Sequence, residues 1–112
     1  MFTQLSVEGD EALMPPEMRN QLFLILREAI RNAVTHSGAG RIAVELDVGR
    51  ESVVGRVEDD GCGFEPDGAR TARSDGLRAM EERATLVGAT LDLSSAPGEG
   101  TAIVVSVPLE VA

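Results

Sequence analysis

The sequence predicts a two-layer α/β sandwich, in which helices cover one face of a mixed and largely antiparallel sheet. Residues 41–59 and 89–109 each have the pattern of two strands joined by a turn, which indicates antiparallel pairing. Residues 15–38 and 76–88 place apolar side chains at the spacing of amphipathic helices. The chain has 112 residues, enough for one domain with a sizeable core, and we assign residues 1–112 to a single domain.

The first half of the chain predicts a short strand and one long helix. The strand covers residues 2–7, and the helix begins near Pro15 and Pro16 and ends at Gly38 or Gly40. One stripe of this helix is apolar and is predicted to face the core: Leu22, Ile25, Leu26, Ala29, Ile30 and Ala33.

Two hairpins and a second helix are predicted for the rest of the chain. The four strands cover residues 41–48, 52–59, 89–94 and 101–109. Residues 64–75 show no periodicity and are predicted to form a loop. The second helix then begins at Gly76, and Gly88 caps its end. The open face of the first hairpin is predicted to be solvated, with the side chains Glu45, Asp47, Arg56 and Glu58.

The composition argues against several classes of function. A net charge of −9 is unlike a nucleic-acid surface, which needs a basic face. No apolar run approaches the roughly 20 residues of a membrane-spanning helix. Because Cys62 is the one cysteine, no internal disulfide can form, and a reducing compartment is expected. We therefore expect a cytoplasmic domain that contacts neither nucleic acid nor membrane, although the full-length protein could be membrane-anchored.

A polar side of the long helix carries the first candidate site. Glu28 and Asn32 are four residues apart, Thr35 and His36 follow one turn later, and Arg31 lies at the edge of that side. Such a side could simply be solvated. Alternatively, a carboxylate can accept a proton from a water or hydroxyl, and an amide oxygen is a hard ligand suited to Mg²⁺.

The stretch EDDGCGF, residues 58–64, leaves a strand on two adjacent acids. A calcium loop needs alternating oxygen ligands that this stretch lacks, whereas a surface turn fits its Asp-Gly pair. In a third interpretation, Asp59 accepts hydrogen bonds from an exocyclic amine, while Gly61 and Gly63 let the backbone lie close against a flat ring. A carboxylate there favours adenine, because guanine presents a carbonyl oxygen where adenine presents an amino group.

Two later stretches give weaker signals. Gly76 is predicted at the N-terminus of the second helix, where free N–H groups and the helix dipole favour phosphate, although the carboxylate of Asp75 would repel it. In APGEGT a hairpin turn accounts for Gly98 and Gly100, and the neighbouring motifs make the hydroxyl of Thr101 a candidate.

Together these motifs resemble those of the ATP-binding domain of sensor histidine kinases, within the superfamily that includes gyrase and a heat-shock chaperone. The N box of that family resembles REAIRNAVTHS, and its first glycine box resembles EDDGCGF. Its second glycine box is similar, in reduced form, to DGLRAMEERA, and its last to PGEGTAIVVSVP. The subclass with the most similar second box is the nitrate-sensor type. The resemblance covers nearly the whole chain, most clearly residues 22–109.

The resemblance implies a role for each matching polar residue. Asn32 would coordinate the Mg²⁺ that bridges the phosphates, and Glu28 would polarise the attacking group. Asp59 would bind the adenine amino group, and Thr101 would share a water in that contact.

The resemblance also implies how the glycine boxes act. Gly61 and Gly63 would shape the adenine pocket, and residues 64–75 would form the ATP lid. Gly76 and Leu77 would form the far hinge of that lid, next to the phosphates.

The chain departs from the family pattern at two places. Thr35 precedes His36 where relatives often have a basic residue, so the phosphate contact expected there falls to Arg31 or Arg73. Thr35 and His36 are still counted among the nucleotide-binding positions. Ser74 stands where relatives often have a second glycine in the second glycine box.

The resemblance implies a domain that binds ATP and Mg²⁺ and donates the γ-phosphate to a histidine on a separate dimerisation domain of the same kinase. His36 is the only histidine and lies within the N box, so we expect a domain excised from a longer kinase that does not phosphorylate itself. The expected partner of the full-length kinase is a response regulator with a helix-turn-helix output. Two alternatives stay open: an anti-sigma-factor-type serine kinase, and a degenerate domain that holds a nucleotide or a partner without catalysis.

Overall fold

A computed structural model describes residues 2–36, 40–61, 72–95 and 98–109. For residues 2, 3, 11, 35, 36 and 72–76, the backbone alone is described. The strands are β1 (Phe2–Gly9), β2 (Arg41–Val48), β3 (Ser52–Asp59), β4 (Thr90–Ser95) and β5 (Thr101–Pro108). The helices are α1 (Pro16–His36) and α2 (Ala72–Leu86), and a short 3-10 helix, Glu11–Leu13, precedes α1.

The five strands form one mixed sheet in the order β1-β2-β3-β5-β4. β1 runs parallel to β2, and every other neighbouring pair is antiparallel. Both predicted hairpins are present, as β2–β3 and β4–β5. The predicted fold class, a mixed and largely antiparallel sheet with two helices, is therefore confirmed.

The core lies between the helices and one face of the sheet. In β2, β3 and β5 every second residue is buried, as expected for strands that are covered on one face. The predicted apolar stripe of α1 is buried apart from Ile30, which is half-buried against the core. The open face of the first hairpin carries the predicted exposed side chains: Glu45, Asp47, Arg56 and Glu58.

A glycine in β3 sets how closely α1 approaches the sheet. A Cβ atom added at Gly55 would lie 3.2 Å from Leu26 Cδ2 and 3.2 Å from Val105 Cγ1. Leu26 of α1 therefore occupies the space that a side chain at position 55 would need. This contact places the middle of α1 over β3, the strand that ends at Asp59.

The N-terminal boundary of α2 corrects one prediction. The helix begins at Ala72, so Gly76 lies in its second turn and not at its N-terminus. The predicted loop over residues 64–75 is therefore helical in its last four residues, while the part over 64–71 lies outside the described residues. The helix-capping role of Gly88 is confirmed: its φ is +71°, and Ala89 N donates to Ala84 O at 2.8 Å, which is the pattern of a Schellman cap.

The connections bring several element ends to one end of the sandwich, which we call the site end. β3 ends, β5 begins and β4 ends in one row of paired residues, Asp59, Thr101 and Ser95. β2 begins beside them, because Ile42 pairs with Asp59. α1 ends at His36, shortly before β2 begins. The C-terminal end of α2 is connected to Thr90, at the start of β4, and Thr90 pairs with Ser106 at the opposite end of the sheet. The N-terminal end of α2 therefore lies toward the site end.

Of the described helices, none is long and apolar enough to cross a membrane.

Candidate functional site

The row of paired residues at the site end places Asp59 next to Thr101 on the helix-covered face. Val57 is buried under the helices, and Asp59, two residues later, projects from the same face. Thr101 is its direct partner on β5 and shares the face of the buried Ile103. Directly opposed side chains on one face have Cβ atoms about 4.5–5.5 Å apart. The two residues that the sequence separates by 42 positions are therefore neighbours.

The carboxylate of Asp59 is held by its own backbone. Its Oδ1 accepts a hydrogen bond from Gly61 N at 2.8 Å, which closes an Asx turn at the end of β3. Gly61 thus contributes a donor that orients the carboxylate, in addition to the close approach predicted for it. A carboxylate can accept about four hydrogen bonds, so this bond leaves acceptor capacity on the half-buried group.

The neighbouring acid, Asp60, has a structural role. Its Oδ1 accepts from Gly40 N at 2.9 Å and from Arg41 N at 2.8 Å, and its own N–H donates to Arg41 O at 3.3 Å. These bonds tie the beginning of β2 to the end of β3. The surface-turn interpretation of EDDGCGF therefore applies to Asp60, whereas Asp59 faces the helices.

Gly100 allows the turn before β5 to pass close to Asp59. It is buried, its φ is +76°, and a Cβ atom added there would overlap Asp59 O and lie 3.4 Å from Asp60 Cα. Gly98 has a similar φ of +81°, but an added Cβ would meet nothing within 4 Å. Both glycines therefore need a positive φ, but only Gly100 lies so close to β3 that a Cβ atom would not fit.

We predict that Gly100→Ala lowers the free energy of unfolding by more than Gly98→Ala does. Both variants force alanine into the left-handed region, at a cost of about 1–2 kcal/mol. Gly100→Ala adds an overlap with the end of β3, which costs a further 1–3 kcal/mol or so. Urea denaturation of the two variants measures the difference. An equal loss of unfolding free energy in both variants would show that the space between Gly100 and Asp59 can accommodate a Cβ atom.

Two candidate residues of α1, Glu28 and Asn32, lie on the side of the helix that contacts α2. Gln21 Oε1 accepts from Arg83 Nη1 of α2 at 3.1 Å, so this side of α1 is the one that contacts α2. Glu28 and Asn32 lie seven and eleven residues further, on the same helical face. Both are half-buried, whereas an outward solvated face would be exposed. The solvated-face interpretation therefore does not describe these two side chains.

Asn32 carries an unusual feature. Its Nδ2 atom is buried and has no hydrogen-bond partner among the described residues. Leaving a buried polar group unpaired costs about 1–3 kcal/mol, and such a group in a folded protein calls for an explanation such as a missing ligand. The oxygen and nitrogen of an asparagine side chain are exchangeable by a flip, so this position suits a phosphate oxygen as acceptor or, with the oxygen there, a cation.

The structure describes the side chains of only some of the other predicted nucleotide-binding positions. Arg31 is exposed on α1, and Leu77 is half-buried against the core. Thr35 and His36 lie in the last turn of α1, at the site end, where the backbone alone is described. Gly63 lies outside the described residues, as do most residues of the predicted lid.

Two cavities meet at Asp59. One, of about 240 Å³, is lined by Ser95, Gly100 and Thr101 and also by Glu58 and Ala102 of the open face. The other, of about 280 Å³, lies on the open face, where Gln4, Ala43 and Glu58 line it. No described residue of α1 or α2 lines either of them. The two cavities thus border the site-end edge of the sheet and its open face, and not the space between the sheet and the helices.

Ser95 is a site residue that sequence reasoning missed. Its Oγ lies 3.0 Å from Thr101 Oγ1 and donates to Gly100 O at 3.0 Å. Its position in the alternation of β4 could have identified it, because Ser95 follows Leu91 and Leu93 at every second position. These three residues are the half-buried ones of that strand, so all three face the helices.

Comparisons with known proteins identify the family of the chain. The family of histidine kinase-, DNA gyrase B- and HSP90-like ATPases matches residues 17–111. The chain is 38% identical over 100 residues to the sensor protein VraS of Staphylococcus saprophyticus. That match covers 89% of this chain and 28% of VraS, so the chain spans less than a third of that relative's length.

Solved structures show the same fold. The histidine kinase domain of the blue-light activated histidine kinase EL346 from Erythrobacter litoralis has a TM-score of 0.70 at 26% identity, over 96% of this chain and 55% of that one. The ATP binding domain of PrrB from Mycobacterium tuberculosis has a TM-score of 0.66 at 28% identity, over 82% of this chain and 69% of that one. The chain therefore belongs to the family of histidine kinase-, DNA gyrase B- and HSP90-like ATPases, as an ATP-binding domain of the sensor histidine kinase type.

Proposed function

We propose that this domain binds ATP together with Mg²⁺ and donates the γ-phosphate to a histidine on a separate dimerisation domain of its own kinase. The phosphoryl group would then pass to a response regulator with a helix-turn-helix output. The observation that carries the proposal is the half-buried Asp59, held by Gly61 N–H next to Thr101 at the site end.

Asp59 would recognise the adenine base. A carboxylate accepts hydrogen bonds and donates none, so it suits an exocyclic amino group and disfavours a carbonyl oxygen. The Asx turn fixes the carboxylate before the ligand binds. Less side-chain conformational entropy is therefore lost on binding. Because Gly100 has no Cβ atom, the turn before β5 can lie directly against the backbone of Asp59 at the end of β3.

The phosphates would lie between the site ends of α1 and α2. The first turn of an α-helix has N–H groups without partners inside the helix, and in α2 these belong to residues 72–75, at the end that lies toward the site end. Phosphates are stabilised there by these donors and by the positive end of the helix dipole. We therefore propose that the phosphate contact lies one turn before Gly76.

The residues of α1 fit a Mg²⁺ ion. Among the described residues no group of three or more acidic, histidine or cysteine side chains could hold a metal by itself. Mg²⁺ in ATP-dependent sites is commonly bound by one or two protein ligands plus substrate phosphates and water. Asn32 would supply that ligand through its amide oxygen, after a flip that brings this oxygen to the unpaired position of Nδ2, and the ion would neutralise charge on the phosphates.

A nucleotide titration tests the proposed ligand. The domain is titrated calorimetrically with ATP and with GTP, each with and without Mg²⁺. We expect ATP to bind more tightly than GTP, and Mg²⁺ to strengthen ATP binding. Equal affinity for ATP and GTP would refute the adenine assignment. Phosphorylation of an added dimerisation domain then tests the kinase activity, and phosphate found on serine would favour the anti-sigma-factor-type alternative.

We predict that Asn32→Ala removes the Mg²⁺ dependence of ATP binding without destabilising the free protein. The variant deletes the proposed ligand and also the buried unpaired amide, whose burial costs about 1–3 kcal/mol in the parent. ATP titrations with and without Mg²⁺ and urea denaturation measure the two effects. Asn20→Ala, an exposed amide on α1, is the matched control and should change neither. A retained Mg²⁺ dependence would place the metal on other residues.

A further inference from the structure

The hydroxyl of Ser95 connects the turn before β5 to Thr101. Ser95 Oγ lies 3.0 Å from Gly100 O and 3.0 Å from Thr101 Oγ1, and the group is half-buried. Ser95 and Thr101 are also direct partners in the pairing of β4 with β5. Both side chains therefore project from the helix-covered face, in the same row as Asp59.

The hydrogen atoms of these contacts can be assigned from chemistry. A carbonyl oxygen only accepts, so Ser95 must donate its single hydroxyl hydrogen to Gly100 O. In the contact with Thr101, Ser95 then acts as the acceptor, and the Thr101 hydroxyl must donate. The hydrogen of Thr101 is thereby directed toward β4, and the lone pairs of Thr101 Oγ1 stay available on its other sides.

We propose that Ser95 is a specificity-determining positioning residue, which fixes Thr101 as a hydrogen-bond acceptor next to the carboxylate of Asp59. The pair then presents acceptors and no donor, directly or through a water, to the base. A ligand with an amino group is matched, and a ligand with a carbonyl oxygen in that place meets lone pairs only. This inference rests on the proposed adenine site and assigns part of its selectivity to a residue outside the recognised motifs.

Without Ser95, the Thr101 hydroxyl is free to rotate. It can then donate a hydrogen bond to a carbonyl oxygen as readily as it accepts one from an amino group. Asp59 would still disfavour the carbonyl, so selectivity should be reduced and not abolished. Loss of the Ser95 hydroxyl should therefore affect the choice between ligands more than the affinity for the preferred one.

The test compares ATP with ITP, which carries a carbonyl oxygen in place of the adenine amino group and a hydrogen on the neighbouring ring nitrogen, N1. The carboxylate of Asp59 can accept that N1 hydrogen in the parent and in the variant alike, so the change of the affinity ratio between the two proteins reports the contact at the amino or carbonyl position. Affinities of both nucleotides are measured by calorimetry for the parent domain and for Ser95→Ala. We expect the ratio of ATP to ITP affinity to fall about fivefold in the variant, which is the size of one neutral hydrogen bond. Ser95→Thr keeps the hydroxyl and should restore the ratio. Ser106→Ala, a half-buried serine on the open face of β5, is the matched control.

A second variant separates this mechanism from a general structural effect. Thr101→Val removes the oriented hydroxyl, and Ser95→Ala should cause no further change of the ratio in that background. An equal change in both backgrounds, or an unchanged ratio in Ser95→Ala, would overturn the role of Ser95. If the parent itself binds ITP as well as ATP, the adenine site is wrong and this inference fails with it.

Discussion

Asp59→Asn is expected to weaken ATP binding by about 10- to 100-fold, which corresponds to the loss of a charge-assisted hydrogen bond worth about 1.5–3 kcal/mol. The substitution keeps the shape of the side chain. Its remaining oxygen can still accept from Gly61 N, so the Asx turn should persist. The new NH₂ group, however, would face the amino group of adenine, and two donors cannot bond to each other. GTP affinity should change little or rise, because its carbonyl oxygen gains a donor.

The matched control is Asp47→Asn. Asp47 lies on the exposed, open face of β2, so this variant makes the same chemical change and removes the same charge away from the site. Calorimetric titration with ATP and GTP and urea denaturation should be carried out on both variants. ATP affinity in Asp59→Asn that matches the control would rule out an adenine contact. A large loss of stability in Asp59→Asn alone would instead assign the residue to folding.

The strands could be predicted from the sequence where a single face is buried. β2 and β3 have the predicted bounds. In β2 the buried apolar residues recur at every second position from Ile42 to Val48. In β3 the adjacent Val53 and Val54 break this alternation, and the turn residues on either side of the strand indicate its bounds instead. The start of α2 could not be predicted in the same way. Residues 72–75 have no apolar stripe, yet Ser74 and Asp75 are residue types that first turns of helices accept readily. Hydrophobic periodicity identifies the buried part of a helix and misses a polar first turn.

The sequence motifs could predict individual site residues, but they could not predict which of these residues lie next to each other. The motifs identified Asp59 and Thr101 separately, and the strand register makes them direct partners. Ser95 was missed because a serine before Ala-Pro-Gly has the composition of a turn. Its hydrogen bonds depend on the pairing of β4 with β5, which is a long-range property. The two aspartates of EDDGCGF look equivalent in sequence, and the alternation of side chains along β3 is what separates the inward Asp59 from Asp60.

Glu28→Gln is expected to leave ATP affinity nearly unchanged and to slow phosphoryl transfer by about 100-fold or more, the range found when a general base is lost. Glu28 is half-buried on the α2 side of α1, one turn before Asn32. Its carboxylate could accept a proton from the attacking group, or orient it, next to the phosphates. Glutamine keeps the length of the side chain and can still accept a hydrogen bond, but it is too weakly basic to take the proton. The change should therefore act on the rate of transfer and not on binding.

The measurement is a single-turnover transfer to a histidine-bearing dimerisation domain, supplied as a separate polypeptide at saturating ATP and Mg²⁺. Glu17→Gln is the matched control, because Glu17 is an exposed acid in the first turn of α1, at the other end of the helix. It loses the same charge and should transfer at the parental rate. If Glu28→Gln also transfers at that rate, Glu28 takes no part in the chemistry. If it instead loses ATP affinity in proportion to the rate, Glu28 is a binding residue, and positioning by Asn32 and the first turn of α2 would have to account for the chemistry.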